Sequence, residues 1–130
     1  MDYPSEEHVR VRISKSEAQL GKDLEDDLIG YMNDVMTELQ DKLHTRNPVD
    51  TGFSSMNWSL TRGRAYNSVR GSKTNVPSKM IVRLLTKKAE VMHLTNNVKY
   101  LPALNDGWSA QAPAGWVDLA IAEVHSKYGL

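Results

Sequence analysis

A chain of 130 residues has room for one domain with a modest core and not for two. Forty per cent of it is hydrophobic and 25% charged, an ordinary globular balance, and 16 basic against 16 acidic residues leave no formal net charge, which excludes a generally basic nucleic-acid binder or an acidic tail. The absence of cysteine excludes structural disulfides and thiolate metal sites.

The first seven residues, Met1 to Glu7, are polar and acidic, the opposite of a signal peptide. No apolar run approaches the ~20 residues of a membrane helix, so the expectation is a soluble product made in a cytoplasm. Val9, Val11 and Ile13 then alternate with His8, Arg10 and Arg12, which predicts a half-buried strand or one awaiting a partner. Ser14-Lys15-Ser16-Glu17 reads as a capping box, in which the serine accepts from the third helical N–H and the glutamate reaches back.

A long helix follows. Leu20, Leu24, Leu28, Met32, Val35, Leu39 and Leu43 recur at steps of three and four, with Tyr31 and Met36 beside the stripe. Each such side chain contributes roughly 1.5–3 kcal/mol when fully buried, so this face is the chain's largest source of core. Asp23, Glu25, Asp26 and Asp27 crowd the first half, while Lys42, His44 and Arg46 gather at the end, as the helix dipole prefers. Gly21 and Gly30 are weak points. Pro48 disfavours helical geometry at Asn47, so the helix ends near Arg46.

Pro48-Val49-Asp50-Thr51-Gly52 is a turn. Its Asp-Thr-Gly invites comparison with aspartic proteases, whose paired aspartates share a proton. A protease aspartate sits in an apolar loop after a hydrophobic strand, whereas Asp50 follows a helix and a proline; Asp50 or Thr51 bonding its own turn is a sufficient account. From 56 to 61, Met56, Trp58 and Leu60 alternate with Asn57, Ser59 and Thr61, predicting a strand with one apolar face.

Residues 62–79 lack periodicity and form a long loop, made basic by Arg62, Arg64, Arg70, Lys73 and Lys79, with no acid between 62 and 88. Such a loop is either a solvated tip or a contact for an acidic neighbour or a phosphate backbone. Its small apolar surface offsets little ordering entropy, so it is expected to move freely in the isolated subunit. Residues 80–86, nearly all apolar, predict a central strand, and 90–95 another. His8, His44, His93 and His125 show no metal-ligand spacing, and each is expected to serve locally.

Tyr100, Leu101 and Leu104 fit a short helical turn stopped at Asn105-Asp106-Gly107, with a positive φ at Gly107. Pro113 suits the first position of a closing helix. Val117, Ala120, Ile121, Val124 and Tyr128 lie on one face of that helix, and Trp116 widens it. The fold expected over residues 1–130 is a single two-layer α+β domain. Its sheet is three- to four-stranded and mainly antiparallel, covered by the long N-terminal helix and the C-terminal helix.

Two stretches together resemble the tail-completion (tail terminator, Z-type minor tail or neck) proteins of long-tailed bacteriophages. One is Asn47-Pro48-Val49-Asp50-Thr51-Gly52 with Trp58 beyond it. The other is Asn96-Asn97-Val98-x-Tyr100, followed by Leu104-x-Asp106-Gly107-Trp108-Ser109-x-Gln111-Ala112-Pro113-Ala114-Gly115. With their order, the resemblance spans roughly residues 20 to 124. Trp116 stands where the family often has an aliphatic residue or methionine, which alters packing more than role.

The resemblance implies a structural virion protein. It would form a ring of identical subunits, commonly six, at the top of the tail, contacting the tail tube and the neck or connector proteins, with passing contact to DNA in the channel. It implies no catalytic residue, cofactor, metal or membrane partner. The residues to test as an assembly interface are Arg62, Arg64, Arg70, Lys73, Trp108 and Gln111. Exposed strand edges and an acidic helix beside a basic loop suit contacts between copies. The alternative is a nucleic-acid-binding module in which loop 62–79 grips phosphates and Tyr66 stacks on a base. An enzyme is the weakest class, because no set of acid, base, nucleophile or ligands emerges.

Overall fold

Helix α1 occupies Ala18–Arg46, 29 residues and about 44 Å at the usual rise per residue. The structure is a computed structural model that describes residues 18–130 apart from residue 88, with side chains in this helix from residue 21 onward. The strand expected at 8–13 and the capping box at 14–17 lie outside the described residues. The α1 C-terminus falls where Pro48 requires: the Asn47 N–H still reaches the Leu43 carbonyl at 3.0 Å, and helical bonding ends there. Val35, Leu39 and Leu43 of the apolar stripe are buried, Leu28 and Met32 are half-buried, and Leu24 is exposed. The stripe is one pattern in sequence, but only its second half lies in the core.

A short 3-10 turn (Ser55–Asn57) leads into strand β1 (Ser59–Arg62), which pairs antiparallel with β2 (Met92–Thr95). Ser59 faces Thr95, Leu60 faces Leu94, and Arg62 faces Met92. The short helix α2 (Leu101–Asn105) and the closing helix α3 (Trp116–Lys127) complete the described elements. The α+β class, the long helix and the C-terminal helix are as expected.

The sheet is smaller than expected: among the described residues it has two strands. Residues 80–86, expected as a central strand, make a single parallel bridge, Leu60 with Val82. Leu60 donates its N–H to the Ile81 carbonyl at 3.0 Å and accepts from Arg83 at 2.9 Å. Side chains take over the backbone groups a ladder would have used. The Gln40 amide donates to the Ile81 carbonyl and to that of Trp58, both at 2.9 Å. The Arg62 guanidinium donates to the Leu84 carbonyl at 2.9 Å. The Asn33 amide both accepts from the Leu85 N–H (2.8 Å) and donates to its carbonyl (3.1 Å). A segment satisfied in this way needs no third strand. It is also peripheral, since Val82 and Leu84 are exposed.

The core is a joint of two indoles. Trp58 and Trp116 meet edge to face, ring centroids 6.3 Å apart and planes at 84°, an arrangement the ring quadrupoles favour. Around them pack Val35, Leu39 and Leu43 of α1, Leu101 of α2, and Ala120 and Val124 of α3. Each buried indole N–H has an acceptor: Trp58 donates to the Asn47 side chain at 2.9 Å, Trp116 to the Leu104 carbonyl at 3.0 Å. Trp116 was expected at the margin of the helix face; at 2% exposure it is the face's anchor.

Helix α3 starts at Trp116, three residues later than Pro113 suggested. Gly115 is its N-cap at φ 80°, a conformation that costs a side-chain-bearing residue about 1 kcal/mol or more. The Asn105 side chain accepts from the Val117 N–H at 3.0 Å, so a residue of α2 caps α3 from outside. Along their length α1 and α3 run antiparallel. Glu123 bridges Lys42 (3.3 Å) and Arg46 (2.5 Å), Lys127 pairs with Glu38, and Tyr128 meets Tyr31 edge to face.

Candidate functional site

The turn after α1 and the stretch between α2 and α3 are brought together in space. Asn47 starts the joint: its amide donates to the Ser54 hydroxyl at 2.8 Å while its oxygen holds Trp58. Asn96, from the other stretch, donates to the Ser54 carbonyl at 2.8 Å and bonds its own turn through Val98. The Phe53 and Tyr100 rings lie 6.4 Å apart. Thr51 accepts from the Phe53 N–H, the bonding within its own turn that was expected, and Asp50 is exposed.

Gln111 closes the joint. Its oxygen accepts the Val49 N–H at 2.8 Å and its amide donates to the Val49 carbonyl at 2.9 Å. One side chain thus pairs with a residue 62 positions away as a strand neighbour would. A groove of about 420 Å³ lies beside this bridge, lined by Pro48, Val49, Gln111, Pro113, Trp116 and Leu119 among others. Val49 and Leu119 are about half exposed, and Trp108 stands 81% exposed on the same loop.

Gly107, ahead of Trp108, has φ 92°, as the sequence predicted. A Cβ there would come within 3.2 Å of the Ala114 Cβ and 3.3 Å of its nitrogen, so the limbs of the loop close only over glycine. The loop that presents Trp108 is therefore shaped by its backbone, with Gln111 pinning its far limb.

The six residues expected at an assembly interface are not one cluster. Gln111 and Trp108 share the loop just described. Lys73 joins that neighbourhood, its ammonium 5.1 Å from the centre of the Tyr100 ring. Arg62 instead pairs with Glu90 at 3.5 Å besides its bond to Leu84, at the end of β1. Arg70 turns back on its own loop to donate to the Lys79 carbonyl at 2.6 Å, and Arg64 is exposed.

Loop 62–79 is held more firmly than its composition suggested. Asn57 accepts from the Arg70 N–H and donates to the Arg70 carbonyl, at 2.8 and 3.1 Å. Asn97 donates to the carbonyls of Tyr66 and Ser68, and Thr95 donates to that of Tyr66 as well. The expectation of free movement rested on apolar surface alone and did not include these amides; amide exchange along the loop tests it.

The perturbed ionisable groups lie along the α1–α3 seam, whose Arg46–Glu123 end lines the same groove. The Lys127 ammonium, with help from the Tyr128 hydroxyl, holds the Glu38 carboxyl below its usual range. Arg46, then Lys42, does the same for Glu123. Lys127 is raised by Glu38, and Tyr128 is raised by burial first and by Glu38 second. These are ion pairs across a helix seam, and the Arg46–Glu123 pair borders the groove beside Gln111.

His44 bonds the Ser55 carbonyl at 2.8 Å and His93 lies half-buried in β2, local roles as expected, while His8 falls outside the described residues. Among the described residues no three His, Asp or Glu side chains converge as a metal site would need, and no helix is long and apolar enough to cross a membrane. Comparison of the chain with protein-family models, with curated proteins and with solved structures finds no match.

Proposed function

We propose that this chain is a structural subunit of a phage virion, acting without catalysis at the head–tail junction. In this reading it forms a ring of identical copies, six in the arrangement the resemblance implies, that completes the tail and joins it to the neck. The observation that supports it is the Gln111–Val49 bridge. The two stretches that carry the resemblance are the two stretches this bridge joins; Val49 and Leu119 are exposed along a groove at the joint, and Trp108 is exposed on the loop that carries Gln111. An exposed tryptophan on a loop pinned by hydrogen bonds is the sort of anchor that dominates protein–protein contacts.

The nucleic-acid reading has less support. Arg62, Arg70 and Lys73 are each engaged by their own chain, and the Tyr66 carbonyl is tied by Asn97 and Thr95.

The test is complementation of a phage lacking this gene. Without the protein, filled heads and tails should accumulate unjoined, or tails should be irregular in length. The parent chain should restore infectious particles, and Trp108→Asp, at a side chain 81% exposed, should fold yet fail to restore them. Normal particles in the complete absence of the protein would overturn the reading.

A further inference from the structure

We propose that two copies of this chain pair through the free edge of β2, antiparallel and in the register that sets His93 opposite the same residue of the second copy. The inference goes beyond the virion reading, because a two-fold contact of this kind does not by itself close a ring. It stands on the sheet alone.

The first observation is the direction of the backbone. Leu60 turns its N–H and carbonyl toward Ile81 and Arg83, and Gly63 donates to the Val91 carbonyl at 2.8 Å. Ser59 and Thr61 therefore turn theirs toward β2, where Thr95 and His93 stand opposite them. The alternation leaves the N–H and carbonyl groups of Met92 and Leu94 pointing away from β1. β2 ends the sheet on that side, and among the described residues neither Met92 nor Leu94 has a backbone hydrogen bond there.

The second observation is that the other side of the sheet is closed. Beyond β1 lie residues 80–86, whose backbone is capped by the Gln40 and Asn33 amides and the Arg62 guanidinium. Lys79, Arg83 and Lys87 are exposed along that side. Cations and cover from other elements are the usual means of stopping an edge from pairing. β2 reads Met-His-Leu-Thr and carries no lysine, proline or carboxylate. The open edge is the unguarded one.

The occupant follows from the register. Centred on His93, two antiparallel β2 strands set Met92 of each opposite Leu94 of the other, and each such pair exchanges both of its main-chain hydrogen bonds. Val91 then stands opposite Thr95, on the face that carries His93, and Val91 is 44% exposed in the single chain. No charged residue lies within 91–95, so no like charges meet. An unrelated strand would find the same backbone groups. A second copy finds in addition a register that matches every residue of 91–95.

Sedimentation of the full chain tests this. The parent should form a reversible dimer. In Met92→Pro the ladder to β1 keeps its His93 and Thr95 bonds, and proline is tolerated at the first residue of an edge strand whose N–H faces outward. That variant should pair about tenfold more weakly, because each copy loses an outward donor. His93→Glu and His93→Lys test the register. Each alone sets like charge opposite like and should pair about threefold more weakly than the parent. Mixed one to one they should pair more tightly than either alone. Amide exchange of the parent gives a reading without substitution: the Met92 and Leu94 amides should slow as protein concentration rises, while those of His93 and Thr95, bonded to β1, stay slow throughout. Should a substitution disturb folding by circular dichroism, this exchange pattern decides.

A parent that stays monomeric, a folded Met92→Pro chain that pairs like the parent, a mixture no tighter than its components, or Met92 and Leu94 amides indifferent to concentration would each overturn the proposal.

Discussion

Gln111 treats the backbone of Val49 as a strand would, accepting its N–H at 2.8 Å and donating to its carbonyl at 2.9 Å. The pair ties the turn after α1 to the loop before α3, so losing it should loosen both. Gln111→Ala removes two hydrogen bonds worth about 0.5–1.5 kcal/mol each, toward the lower end because the site is exposed. Gln111→Glu should cost more at neutral pH: a carboxylate still accepts from Val49 but faces its carbonyl with no proton to give. Urea denaturation reads the order parent, alanine, glutamate in falling midpoint at constant slope. A glutamate variant as stable as the parent would show that the pairing does not persist in solution.

The same kind of side chain explains which parts of the fold were legible. The α1 boundary at Arg46 could be read because Pro48 acts on its immediate neighbour, and the Gly107 turn because its φ is a local demand. The two-stranded sheet could not. Residues 80–86 carry the apolar run of a central strand, but their backbone is satisfied by Asn33 and Gln40, 52 and 41 residues away. A periodicity reading files both amides on the polar side of a helix and has no term for their partners. The site divides likewise. Trp108 and Gln111 stood out through local wording, whereas their joint with Val49 and the burial of Trp116 depend on contacts across the chain.

The α1–α3 seam makes stability depend on pH at both ends of the range. Glu38 and Glu123 have carboxyls held below their ordinary 4.5 by Lys127 and Arg46. Their contribution is complete above 4.5 and is lost as pH falls through the lowered values, because the unfolded chain then takes up protons the native chain resists. Lys127 and Tyr128 are raised above 10.5 and 10.0. Their contribution is complete below those values and is lost as pH rises through the folded ones. The pairs are solvent-accessible, so the losses should be modest and should shrink in high salt. Lys127→Met should flatten the acid limb relative to the parent. An acid limb unchanged in that variant would assign the loss to other carboxylates.

Leu24 and Leu43 belong to one apolar pattern of three- and four-residue steps, and the structure assigns them opposite fates. Leu43 is 1% exposed among Leu39, Trp58 and Trp116, whereas Leu24 is 42% exposed. Truncating Leu43 leaves a cavity in a rigid aromatic setting, so Leu43→Ala should cost about 2–5 kcal/mol. Leu24→Ala should change the monomer by only about 0.5 kcal/mol either way, since the lost area is already partly in water and alanine is the better helix former. Urea denaturation of the two variants reads the difference directly as a shift in midpoint at constant slope. A large stability loss from Leu24→Ala would mean that this position contributes to the core despite its exposure.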